Sequence, residues 1–145
     1  MIDAITAEKL SGIRLLIVDD NSALAALLVD AFRLAGCDVD AAGDVGATLQ
    51  LATRHRWSAA VLDIDLPDGN GLELLQTLRA GGPPGGLPAV FITGRPDAAR
   101  VRQVAALGHA LLLPKPFDRR EITAAVALLL TRAAAANRAG KIGPA

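Results

Sequence analysis

Aromatic side chains are scarce in this chain, with three Phe, one Trp and no Tyr among 145 residues. Ala and Leu must therefore do most of the filling of a core, and at 52% hydrophobic residues there is enough apolar material for one. Cysteine is also nearly absent. Cys37 stands alone, which excludes an internal disulfide framework and a cysteine metal site and leaves it as a small buried hydrophobe. Net charge is missing too, because 15 acids balance 15 bases. With no basic stripe, the electrostatic footprint of a nucleic-acid binder is lacking. No uncharged apolar run approaches the ~18 residues that cross a bilayer. The first nine residues carry acids where a signal peptide carries positive charge. A soluble, cytoplasmic protein is expected, with no membrane and no nucleic acid among its partners.

What is present is a rhythm. Apolar runs of four to six residues alternate with stretches of helical period, the βα pattern of a parallel sheet. Strands are expected at 14–18, 58–63, 89–93 and 110–113, and Cys37, Val39 and Ala41 alternate with Asp38 and Asp40 as a half-exposed edge strand. The first helix carries Leu24, Leu27, Leu28, Ala31 and Ala35 on one face and stops at Gly36. Asp44 is placed to cap a helix over 45–55, and Asp118 with Glu121 forms a capping box for a last helix reaching about Ala136. Short helices are expected over 72–79 and 97–107, a turn over 67–71 and a flexible loop over 81–86. The expectation is one domain over 12–136, an N-terminal tail over 1–11, and a C-terminal tail or linker start over 137–145. It holds five strands and five helices in a doubly wound α/β sheet.

Five polar residues fall at or just past the ends of these strands: Asp19, Asp20, Asp63, Thr93 and Lys115. The carboxyl edge of an open α/β sheet is where ligands bind. Mg²⁺ takes oxygen ligands and keeps several waters, so one or two carboxylates and a phosphate oxygen suit it. A carboxylate can also act as nucleophile and form an aspartyl-phosphate, with a metal and a lysine offsetting the repulsion. The members lie far apart in sequence, so the set is much more specific than any one of them.

The segments Val18-Asp19-Asp20, Val61-Leu62-Asp63-Ile64-Asp65-Leu66-Pro67-Asp68-Gly69-Asn70-Gly71, Phe91-Ile92-Thr93-Gly94 and Pro114-Lys115-Pro116-Phe117 together resemble the receiver domain of two-component response regulators. The resemblance runs over about 13–134. It implies a flavodoxin-like (βα)5 fold with strand order 2-1-3-4-5. It implies that Asp63 accepts a phosphoryl group from the phosphohistidine of a sensor histidine kinase or phosphotransfer protein. Asp20 would then ligate Mg²⁺ directly, Asp19 through water and Asp65 through its backbone carbonyl, with Asp63 also at the metal. Thr93 and Lys115 would contact the phosphoryl oxygens, and Lys115-Pro116 would be cis. Rather than an enzyme acting on a separate substrate, the resemblance implies self-catalysed transfer and autodephosphorylation, and output through a downstream protein or a homodimer involving the last helix. One departure stands out: where the family usually has Tyr or Phe three residues before the lysine, this chain has Leu112.

Two other functions share some of these residues. Asp63-Ile64-Asp65 is similar to the nucleophile motif of haloacid-dehalogenase-like phosphatases, although that motif ends a first strand and here it ends the third. A degenerate receiver that only binds a partner is the other. The rim residues Asp65 and Arg95 are expected to pair across the mouth of the site. Read singly, Asp65 is a solvated rim group, His55 and His109 are surface residues without partners, Trp57 caps the sheet's lower edge, and Leu128 and Leu130 lie outside the packed stripe of the last helix.

Overall fold

The structure, a computed structural model, describes residues 10–80, 82 and 86–142. In chain order its elements are β1 (Arg14–Val18), α1 (Ser22–Leu34), β2 (Asp38–Ala42), α2 (Val45–Ala52), β3 (Ala59–Asp63), β4 (Asp65–Leu66), β5 (Gly69–Asn70), α3 (Gly71–Arg79), β6 (Ala89–Thr93), α4 (Ala98–Leu107), β7 (Ala110–Pro114) and α5 (Arg119–Ile142). The five long strands form one parallel sheet in the order β2-β1-β3-β6-β7. This is the 2-1-3-4-5 order once the small β4–β5 hairpin is set aside. That antiparallel hairpin, with Asp65 opposite Asn70, stands where the sequence suggests only a turn.

Side chains alternate across the sheet because successive strand residues point to opposite faces. Leu15, Ile17, Val61, Val90 and Ile92 join Leu28 and Phe32 of α1 and Ile122, Val126 and Leu129 of α5 in one core cluster. Leu16, Val18, Leu62 and Phe91 join Leu72 and Leu75 of α3 and Val104 of α4 in the other. The central strands β3 and β6 are buried along their whole length, which is why they read as unbroken apolar runs. Phe32 and Phe91, fully buried on opposite faces, place one large ring in each cluster.

The caps anticipated from the sequence form. The Asp44 side chain accepts from Ala47 N at 2.7 Å, and Asp118 and Glu121 exchange their two bonds at 2.8 and 3.2 Å. Three expectations need correction. Leu10, assigned to a tail, is fully buried, and its carbonyl accepts from the Cys37 thiol at 3.4 Å. This contact needs Gly36, where φ is +96° and an added Cβ would lie 3.1 Å from the Ser11 backbone. The last helix runs on to Ile142 instead of ending near Ala136, since 133–136 is all Ala and a single Gly lowers helix stability by only ~1 kcal/mol without breaking it. His55 has a partner, its Nδ1 lying 3.3 Å from Arg14 Nη1. The expected tail residues 1–9 and 143–145, and most of the 81–86 loop, lie outside the described residues.

Candidate functional site

Parallel strands deliver their carboxyl ends to one edge, and the chain reverses between β1 and β3, the place where such sheets open a crevice. Asp19 and Asp20 follow β1 directly. Asp19 is buried, held by its backbone N–H on Ala42 O at 3.1 Å and by its Oδ1, which accepts from Asn21 N at 2.8 Å. Asn21 in turn caps α1 through Leu24 N. Asp20 is exposed. Asp63 ends β3 and is 5% exposed; its Oδ1 accepts from Asp65 N at 3.1 Å. Lys115 enters from the end of β7, its N–H bound to Thr93 O at 2.8 Å and its bond to Pro116 cis. Its Nζ lies 3.4 Å from Asp63 Oδ2 and 3.6 Å from Asp19 Oδ2.

Carboxylate oxygens of Asp19, Asp20 and Asp63 all lie within 4.8 Å of one another. One lysine faces three acids, so repulsion remains. Burial, and next the charge of Asp19, push the Asp63 carboxyl above the usual carboxylate range, against the pull of Lys115. Asp19 Oδ2 is buried with no hydrogen-bond partner. An orphaned buried oxygen among hard carboxylate donors fits a small divalent cation. The cluster can therefore hold a metal.

Behind the acids the packing is tight. Gly71 opens α3 directly against the end of β3: a Cβ there would lie 2.2 Å from the Asp63 carbonyl oxygen. Asn70 caps α3 by accepting from Leu72 N at 2.7 Å. Asp68, at the tip of the hairpin, accepts from Val45 N and Gly46 N at 2.8 and 3.0 Å and so caps α2 from outside it.

Thr93 is fully buried at the end of β6. Its hydroxyl oxygen accepts from Arg95 N at 3.0 Å and from Arg100 Nη1 at 2.7 Å. Arg100 also grips Asp65 with both arms, Nη1 at 2.9 Å from Oδ2 and Nη2 on Oδ1. The expected Asp65–Arg95 pair is thus corrected: Asp65 pairs with Arg100, while Arg95 is exposed. The Arg100 hydrogen bond holds the Asp65 carboxyl below its usual range. A general acid needs a pKa near the working pH, so Asp65 is unsuited to the acid role a phosphatase motif requires.

Arg100 is the site residue that sequence reading missed. Its signal was present: it is the third residue after the Asp97 cap and lies four before Val104, the buried residue of α4, so helical spacing turns it toward the sheet. On the last helix, Leu128 is 45% exposed as expected, whereas Leu130 packs against the core.

A five-stranded parallel sheet wrapped by helices, with acids, a hydroxyl and a lysine at one edge, defines a class, and comparison with known proteins bears it out. Residues 15–127 match the model of the response regulator receiver domain, and the chain belongs to that family. It is 36% identical over 122 residues to the probable transcriptional regulatory protein TcrX of Mycobacterium tuberculosis, covering 83% of this chain and 50% of that protein. It is 37% identical over 121 residues to the transcriptional regulatory protein TctD of Salmonella typhimurium, covering 83% of this chain and 53% of that one. The chain thus spans about half the length of these relatives. Among solved structures, a CheY-like receiver domain from Methanospirillum hungatei superposes with a TM-score of 0.77 at 26% identity, covering 86% of this chain and 98% of that one. The receiver domain of HemR from Leptospira biflexa gives 0.74 at 27% identity, covering 82% and 94%. These findings support the receiver reading and give the phosphatase reading none. Among the described residues, no helix is long and apolar enough to cross a membrane.

Proposed function

We propose that this receiver domain accepts a phosphoryl group on Asp63 from a phosphohistidine of a sensor histidine kinase or phosphotransfer protein, and that the modified domain binds differently to a downstream protein or to a second copy of itself. The observation that carries this reading is the placement of the Asp63 carboxylate, at the end of the central strand and 3.4 Å from Lys115 Nζ, within a three-carboxylate cluster.

A carboxylate oxygen of Asp63 attacks phosphorus. The O–P bond forms as the N–P bond breaks, and the electron pair leaves on the imidazole nitrogen, which takes up a proton. Mg²⁺, when held by the carboxylates of Asp20 and Asp63 and the backbone carbonyl of Asp65, with Asp19 acting through water, supplies positive charge beside the transferring group. Lys115 Nζ, already near Asp63 and Asp19, neutralises the third face. Thr93 has both acceptor positions occupied by Arg95 and Arg100, so its proton is free to be donated to a phosphoryl oxygen. Attack of water on the phosphorus returns Asp63 to its carboxylate and releases phosphate, so the domain removes its own phosphoryl group and acts as a timed switch, not as an enzyme on a separate substrate. A cytoplasmic location belongs to this reading. So does recognition of proteins, with no nucleic acid bound by this domain. The matched segment is about half the length of the relatives named as transcriptional regulators, and output of that kind would run only through a protein partner.

Incubation with acetyl phosphate and Mg²⁺, followed by intact-mass spectrometry, should add one phosphoryl group to the wild type and none to Asp63→Asn. An unlabelled wild type would leave the degenerate, binding-only receiver as the reading. A label retained in Asp63→Asn would overturn Asp63 as acceptor.

A further inference from the structure

The side-chain contact of the Thr93 hydroxyl is Arg100, and Arg100 belongs to α4, a helix with a single buried residue. Among the ten residues of α4, Val104 is the one that is buried. Elements with few buried contacts open and shift at low free energy. Arg100 is also tied into the start of α4, because its own N–H donates to the Asp97 cap at 2.9 Å. Its guanidinium therefore links three things: the Asp65 rim, the Thr93 hydroxyl and the first turn of α4. On the other side of Thr93, β7 presents Ala110, Leu111, Leu112 and Leu113, with no ring that could report the position of the hydroxyl.

We propose that Arg100 is the residue that reads the phosphoryl group and moves α4. Without modification the guanidinium forks onto the single charge of Asp65. A phosphoryl group on Asp63 carries between one and two negative charges and three strong acceptor oxygens, and it forms beside the Thr93 hydroxyl that Arg100 already touches. The guanidinium then transfers from Asp65 to the phosphoryl oxygens, and the first turn of α4 follows it through the Asp97 cap. Asp65 acts as the holding partner of the resting state. The Asp65 side chain is 52% exposed, so water can take over its carboxylate when the guanidinium leaves. Arg100 is in this sense a positioning residue: it transmits the state of Asp63 and takes no part in the bond changes.

The inference rests on Asp63 being the acceptor, and one experiment separates the two. Amide spectra of the full chain, labelled with ¹⁵N, are recorded with Mg²⁺ before and after addition of beryllofluoride. In the wild type, amides near Asp63 and those of 102–107 in α4 should both shift. In Arg100→Gln the shifts near Asp63 should remain while most of the α4 shift is lost. Arg100→Lys, which keeps the charge but not the fork, should restore part of it. Asp65→Asn should move the α4 amides toward their beryllofluoride positions with no ligand added. An α4 response in Arg100→Gln equal to or larger than the wild type's, with Asp63 amides still responding, overturns the role of Arg100 alone. Absence of any change near Asp63 in the wild type overturns the acceptor reading and this inference with it. Thermal melting of Arg100→Gln is the control: a modest loss is expected from the missing bonds to Asp65 and Thr93, and a variant no longer folded at the recording temperature would assign Arg100 a merely structural role.

Discussion

The two edges of the sheet handle charge in opposite ways. At the carboxyl edge, three carboxylates crowd around one lysine, Asp19 Oδ2 lacks a hydrogen-bond partner, and the Asp63 carboxyl is pushed up by burial and by its neighbour Asp19. At the amino edge the arginines are occupied by carbonyls and by one carboxylate. Arg79 spends its fork on carbonyls: Nε and Nη2 donate to Leu87 O at 3.0 and 2.9 Å, Nη1 to Leu107 O at 2.9 Å, and Nη2 also reaches Gly108 O and His109 O at 2.8 and 3.2 Å. Nearby, Asp40 Oδ2 accepts from Trp57 Nε1 at 2.8 Å and lies 3.4 Å from Arg14 Nε. One edge keeps unpaired negative charge that could hold a cation. The other ties the ends of α3 and α4 to the sheet with bonds already made, while Arg14 Nε is buried beside Asp40 without a hydrogen bond. Marginal stability makes this division necessary, because an edge that holds unpaired charge must be offset elsewhere in the domain.

The largest effect on this contrast should come from Arg79→Ala. It removes the fork from four carbonyls and should destabilise the domain by about 2–4 kcal/mol, read by urea denaturation, while acetyl phosphate labelling of the folded fraction stays intact. Arg79→Lys should recover little, since a point charge cannot span the same carbonyls. A loss of labelling in proportion to neither variant's stability would blur the separation between the edges.

Gly71→Ala tests the carboxyl edge from behind. The methyl group must displace the Asp63 carbonyl or the start of α3, which should destabilise by about 1–3 kcal/mol. Unlike Arg79→Ala it should also slow labelling of the protein that remains folded, because the acceptor itself is displaced. Normal labelling kinetics would show that the loop absorbs the methyl without moving Asp63.

Asp63→Asn should shift stability in the other direction. The carboxyl is raised above its unfolded value, so the charged form is disfavoured in the folded protein, and its neutral isostere gains stability at pH 7 in metal-free buffer. That gain should shrink as pH falls through the raised value, where Asp63 itself becomes neutral. The wild type should be stabilised by added Mg²⁺, and the variant less so. Calorimetry at both pH values reads the sign; a lower melting temperature for the variant at neutral pH would mean that Lys115 compensates the acids fully.

The smallest effect belongs to Asp68→Asn. Bonds from Val45 N, and then Gly46 N, hold the Asp68 carboxyl below its usual range. Its contribution is therefore in place above the ordinary carboxylate pKa and is lost as pH falls through the lowered value. The variant should melt slightly lower than the wild type at pH 7, and the two should converge as pH falls below the lowered value of Asp68. A difference that persisted in acid would assign the effect to the hairpin's shape and not to the capping charge.

Most of the carboxyl edge was legible because strand ends are legible. Buried parallel strands read as apolar runs, so the first polar residue after each marks its end, and this located Asp19, Asp20, Asp63 and Thr93. Lys115 was found in the same way past β7. The amino edge was almost silent. Arg79 reads as an ordinary basic residue in the last turn of a helix, and His55 as a surface residue; nothing in their local sequence announces the carbonyls that reach Arg79 from 8 to 30 positions further on, or the Arg14 side chain that reaches His55 from 41 positions earlier.

Backbone periodicity, capping and the positions of strand ends are local properties, and through them the sequence by itself determined the βα alternation, the strand order its family implies, the helix caps at Asp44 and Asp118, and the residues that meet at the site. Only the tertiary structure decided which long side chain reaches which partner. It chose Arg100 over Arg95 for Asp65, carried Asp68 across to cap α2, buried Leu10 beneath Gly36, and laid Arg79 along the carbonyls of two other segments. An arginine has several rotatable bonds and a reach that spans neighbouring elements, so its partner is set by where those elements pack, and that is fixed by contacts far away in the chain.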